Sequence, residues 1–176
     1  MKENITNISL ETSLGVIDIE LYPDKAPITV SNFLKYIDKK RYNDFHFYRV
    51  VHLNNQPNSN VKIEVIQGGL GSNRHPMELP SVRHENTEET GLNHIDGTIS
   101  MARLEPGTAN SEIFICINDQ PELDFGGKRN PDGQGFSVFG KVTNGMDIVR
   151  IIQKLPENGQ ILDKIIPVLA IKKKRK

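Results

Sequence analysis

The chain carries one cysteine, Cys116, in 176 residues, so no internal disulfide can form. Cys116 sits in an apolar run with Ile113, Phe114, Ile115 and Ile117, where a buried, inert thiol is expected. Net charge is missing as well: 22 Lys and Arg balance 22 Asp and Glu. That balance removes the basic footprint on which nucleic-acid binders depend, so no nucleic-acid partner is expected. No apolar stretch approaches the roughly 18 residues of a membrane span, and residues 1–15 lack the apolar segment of a signal peptide. A cytoplasmic protein without a membrane partner is expected, with the mature part of an exported protein as the alternative.

Three kinds of chemistry lack their signatures. The histidines His46, His52, His75, His84 and His94 show no i, i+4 pairing, and no second cysteine supports them, so no metal is expected. Gly68-Gly69 and Gly69-x-Gly71 are not followed by a periodic helix whose N-terminus could hold a phosphate. Ser111 has neither the Gly-x-Ser-x-Gly elbow nor a histidine nearby in sequence, and hydrolysis is not indicated. No cofactor is expected.

What is present is enough chain for one domain, residues 1–176 with a core over about 14–170, able to bury roughly 70% of its unfolded surface without staples. Residues 8–21 alternate apolar and polar around a turn at Thr12, Ser13 and Gly15, which predicts a hairpin. Pro27 opens a helix to about residue 39, with Val30, Phe33, Leu34 and Ile37 on one stripe. Strand patterns follow at 47–51, 63–67, 97–101, 112–117, 137–142 and 165–171, and a second helix at 145–155. Residues 52–60, 70–96 and 125–135 are polar or glycine-rich and read as loops, the longest as a functional surface loop. The basic run 172–176 reads as a solvated, frayed end. About eight short strands with two amphipathic helices predict a mainly β fold, a closed eight-stranded antiparallel barrel capped by two α-helices.

Five ordered strings go further. Phe-His-Phe-Tyr-Arg-Val-Val over 45–51, Val-Ile-Gln-Gly-Gly over 65–69, Gly-Thr-Ile-Ser-Met-Ala over 97–102, Ser-Glu-Ile-Phe-Ile over 111–115 and Val-Phe-Gly-Lys-Val-Thr-Asn-Gly-Met over 138–146 together resemble the cyclophilins. Arg103 and the aromatic Phe136 are similar to the bacterial branch. The resemblance, covering about 14–170, implies a peptidyl-prolyl cis-trans isomerase with the barrel inferred above. It implies that Arg49 and Gln67 are catalytic, and that substrate lies along Phe47, Glu64, Val65, Ala102, Arg103, Glu112, Phe114, Leu123 and Phe136. Its partners would be proline-containing peptides and unfolded or folding proteins, and a monomer is expected.

Isomerisation needs no nucleophile, only an apolar seat for the pyrrolidine ring and a donor favouring the twisted amide. Three residues depart from the family pattern. Glu64 stands in place of a phenylalanine and Glu112 in place of a glutamine; carboxylates at the groove rim would pair with Arg49. The alternative function is therefore a catalytically weak proline-peptide binding or scaffolding module. Glu122 replaces a tryptophan or phenylalanine, so weak cyclosporin binding is expected. The insertion at 52–60 and the long loop 125–135 read as loop drift able to reshape the groove.

Overall fold

A computed structural model describes residues 3–71 and 74–175. The elements run β1 (Thr6–Thr12), β2 (Gly15–Leu21), α1 (Pro27–Asp38), β3 (His46–Val51), β4 (Val65–Gly69), α2 (Thr87–Thr90), β5 (Thr98–Met101), β6 (Ile113–Cys116), β7 (Val138–Asn144), α3 (Met146–Gln153), β8 (Glu157–Asn158) and β9 (Ile161–Lys173). Neighbouring strands follow the order β1-β2-β7-β5-β6-β4-β3-β9, and antiparallel pairing of β1 with β9 closes the ring. The expected eight-stranded barrel is therefore present, with β8 a short addition that folds back on β9. Closure leaves the barrel wall without an unpaired edge.

Alternation along each strand sends one set of side chains inward. Ile8, Ile19, Val50, Ile66, Ile99, Ile113, Ile115 and Phe139 fill the interior, with Val30 and Phe33 of α1 and Val149 and Ile152 of α3 packed at its ends. A third helix, the single turn α2, escapes a search for apolar periodicity because it is too short to have any. It is specified by its caps instead: Asn86 Oδ1 accepts the Glu89 amide, and Gly91 ends the turn at φ 71°. It lies within the segment 70–96, read as a functional surface loop.

The basic tail also differs from expectation. Lys172 and Lys173 belong to β9, the Lys174 amide donates to Asn7 O, and Lys172, Lys173 and Lys174 meet Glu11, Asp38 and Asp18. The ladder to β1 orders this stretch, because each exposed ion pair contributes only about 0.2–1 kcal/mol. Lys176 lies outside the described residues.

Candidate active site

A second apolar cluster lies on the outer face of the barrel wall. Val51, Ile63, Val65, Phe114, Cys116 and Leu123 are buried together, with Ala102 and Phe136 against them. The register explains the grouping. Arg49 pairs with Gln67 and Gln67 with Phe114; one step along, Val51 pairs with Val65 and Val65 with Cys116. Two rows of outward residues thus cross three strands, Arg49-Gln67-Phe114 and Val51-Val65-Cys116. Above them opens a groove of about 320 Å³ lined by Arg49, Ile63, Val65, Gln67, Ala102, Arg103, Leu104, Phe114, Leu123, Arg129, Asn130 and Phe136.

A β-bulge aims the arginine. The pairing register slips between Phe47 and Arg49, so Tyr48 and Arg49 both turn outward while Phe47 and Val50 both point in. Phe47, implied to touch substrate, is instead wholly buried in the core. Its ring and the His46 carbonyl occupy the space that a side chain at Gly68 would need, with 2.8 and 2.9 Å to an added Cβ.

Arg49 is fixed from two sides. Nη1 donates to Gln67 Oε1 at 2.7 Å, while Nε and Nη2 donate to Gln160 Oε1 at 3.1 and 2.7 Å. Burial draws its pKa down, with Tyr48 acting in the opposite direction. Gln160, in the turn between β8 and β9, escaped the sequence reading, which gave residues 156–164 no element. Its backbone has φ 77°, and its amide donates to Glu157 Oε2 at 2.6 Å.

Glu64 and Glu112 do not touch Arg49. Glu64 accepts from Asn118 Nδ2 at 3.1 Å and Gln153 Nε2 at 3.4 Å, facing α3. Strand alternation is the reason: Ile63, Val65 and Gln67 share the groove face, and Glu64 shares the other with Ile66. Ile63 therefore lines the groove where Glu64 was expected, a substitution that period-two reading of 63–67 could have found. Glu112 accepts from Tyr48 Oη at 2.8 Å, Ser111 Oγ at 2.7 Å and the amides of Leu70 and Gly71 at 3.0 and 2.9 Å. It reaches the arginine only through a chain, since Gln67 Nε2 donates to Tyr48 Oη at 2.9 Å. Its role is to hold the β4 exit and the Tyr48–Gln67 pair.

Val65, Phe114, Leu123, Phe136 and Ala102 stand in the groove as implied. Arg103 does too, but its guanidinium is engaged: it grips Asp132 at 2.8 and 3.0 Å, donates to Gly135 O and lies 4.9 Å over the Phe136 ring. Glu122, outside the groove lining, accepts the Lys128 amide at 2.7 Å. Cys116 is buried, and burial pushes its thiol up to about 12.

Beneath the floor lies His94, given no role in the sequence beyond its lack of metal-site spacing. Its Nδ1 is 2.7 Å from Asp124 Oδ1, its Nε2 is 2.9 Å from Ser100 Oγ, and its ring stacks at 5.9 Å on Phe114. Serine, histidine and carboxylate stand in the order of a hydrolytic relay, yet Ser100 is fully buried and no substrate can reach it. Burial lowers the His94 pKa against the opposing pull of Asp124, which keeps the ring neutral. The unfolded chain takes up a proton near the ordinary value of 6.5 and the native state only lower. Stability is therefore fully present above that value and falls as pH drops below it, by at most about 1.4 kcal/mol per pH unit. Urea unfolding at pH 7.5 and 5.5 should show a larger loss for wild type than for His94→Gln; equal losses would remove His94 as the cause.

A family model for the cyclophilin type peptidyl-prolyl cis-trans isomerase/CLD matches residues 7–173. A peptidyl-prolyl cis-trans isomerase of Acinetobacter baylyi is 34% identical over 168 residues, covering 95% of this chain and 82% of that protein. Peptidyl-prolyl cis-trans isomerase A of Dickeya dadantii is 36% identical over 155 residues, covering 87% and 74%. The crystal structure of a Cryptosporidium parvum cyclophilin type isomerase has the same fold, with a TM-score of 0.74 over 98% of this chain and 99% of that one at 20% identity. The fold and the outward groove define a closed antiparallel barrel with an open cleft on its wall. The chain belongs to the cyclophilin-type peptidyl-prolyl cis-trans isomerase family.

Proposed function

We propose that this groove isomerises Xaa-Pro bonds in peptides and unfolded chains, as a monomer, with Arg49 as the catalytic donor. The observation that carries the proposal is the arginine itself, locked by Gln67 and Gln160 at the edge of an apolar floor. Amide resonance sets a barrier of roughly 18–20 kcal/mol to rotation about the peptide bond. As the amide twists, its nitrogen lone pair is freed and becomes a better hydrogen-bond acceptor. A guanidinium held in place favours that state over the planar one, which is what lowers a barrier. The floor of Val65, Phe114 and Leu123 seats the pyrrolidine ring, and the residues before it run along Ala102 and Arg103. No bond is made or cut, so no cofactor is needed.

The fixed geometry of Arg49 supports this reading over a weak binding module, because the carboxylates invoked to disable the arginine are engaged elsewhere. The test is the cis-to-trans rate of a short Ala-Pro-Phe peptide at about 10 °C, where uncatalysed exchange is slow. Wild type should accelerate it and Arg49→Ala should not. Peptide binding by titration without acceleration would make the protein a binding module.

A further inference from the structure

Three arginines line the groove, and they differ in what neutralises them. Arg103 carries its own counter-ion in Asp132, and its side chain is 1% exposed. Arg49 donates only to glutamine oxygens. Arg129 donates through Nη1 to Gln56 Oε1 at 3.0 Å, Ser59 Oγ at 2.9 Å and Val61 O at 2.6 Å, all uncharged. Among the described residues neither Arg49 nor Arg129 meets a carboxylate, and Nε and Nη2 of Arg129 find no acceptor. Burial draws the pKa of Arg129 down and the charge of Arg49 lowers it further, so the two cations lie within electrostatic reach.

Position gives the second half of the argument. Arg129 belongs to the 125–135 loop and is pinned to the 52–60 insertion, so one guanidinium joins the two segments read as loop drift. Within the groove lining its guanidinium is tied to Gln56 and Val61, next to Ile63, whereas that of Arg103 is tied to Asp132 and Gly135, next to Phe136. With the residues before proline along Ala102 and Arg103, the chain leaving the proline passes Arg129. An unneutralised, half-buried cation held by three neutral acceptors is arranged to receive an anion from outside.

We propose that the groove selects prolyl peptides carrying a carboxylate one or two residues after the proline, and that Arg129 reads it. This rests on the isomerase reading above. The test compares Ala-Ala-Pro-Glu-Ala and Ala-Ala-Pro-Ala-Glu, both capped, with their Gln and Lys counterparts, by exchange NMR for kcat/KM and by titration for binding. In one of the two positions Glu should exceed Gln by about three- to fivefold and Lys should fall below Gln, the size expected of one partly exposed ion pair. About 1 M salt should erase the order. Glu placed before the proline should bring no gain, because Asp132 already occupies Arg103.

Arg129→Gln should level the Glu/Gln ratio and Arg129→Lys should keep it. Loss of a purely structural tie between the loops would lower every peptide alike and leave the ratio standing. Equal values for Glu, Gln and Lys, or a ratio unchanged in Arg129→Gln, would overturn the proposal while the isomerase reading stands. Catalysis of none of the peptides would instead overturn the isomerase reading, and the titrations would still decide whether the carboxylate is preferred.

Discussion

Arg49→Lys should lose about 10²-fold in kcat/KM for a prolyl peptide although the charge is kept, the cost typical of one lost preorganised donor. Lysine retains a cation on a flexible stem, whereas Arg49 works as a planar fork with both ends occupied. Gln67 takes one Nη1 hydrogen and Gln160 takes Nε and Nη2, which leaves the guanidinium one orientation over the floor. A lysine ammonium cannot satisfy both glutamines from one position, so it would sample several. The peptide assay at low temperature reads the loss directly, with circular dichroism to show that the barrel persists. Retention of activity within about tenfold of wild type would mean that charge, rather than a fixed donor, drives rotation.

The second large effect falls on stability and function together. Phe114→Ala should cost about 3–5 kcal/mol, because the ring is buried among Val65, Leu123 and Phe136 and stands on His94. For a chain of this size that lowers Tm by about 10 °C. The cavity left behind sits in the proposed seat of the pyrrolidine ring, so peptide affinity should fall with it. Phe114→Leu separates the two effects: it restores most of the apolar volume, and Tm should recover further than activity. If both variants unfold at the wild-type temperature, the outer cluster is not a second core.

Much of this arrangement was legible in the residues. The hairpin at 8–21, the helix opened by Pro27 and the alternating strands each carry a local pattern, and the resemblance supplied the arginine and the apolar floor. Phe47 was misplaced because a β-bulge breaks the two-residue period, and nothing in Phe-Tyr-Arg marks the extra residue. Glu64 was misplaced for the opposite reason: the simple alternation through Ile63, Val65 and Gln67 was available and the family position was followed instead. Gln160 and Arg129 left no periodic signal, since both lie in connections whose shape is set by tertiary hydrogen bonds. His94 could be recognised only once β5, β6 and the turn at Asp124 had come together around it.

The pairing of β1 with β9 bears on how the molecule comes into being. The ladder joins Ile8 to Lys173, so the wall stays open on a growing chain until residue 173 has left the ribosome. Hairpin β1–β2 and helix α1 can form early, but their apolar faces wait for partners far along the sequence. Such late, long-range closure folds slowly and exposes sticky surface in the meantime. A protein proposed to speed slow steps in other chains thus finishes its own barrel only after synthesis has passed its final strand.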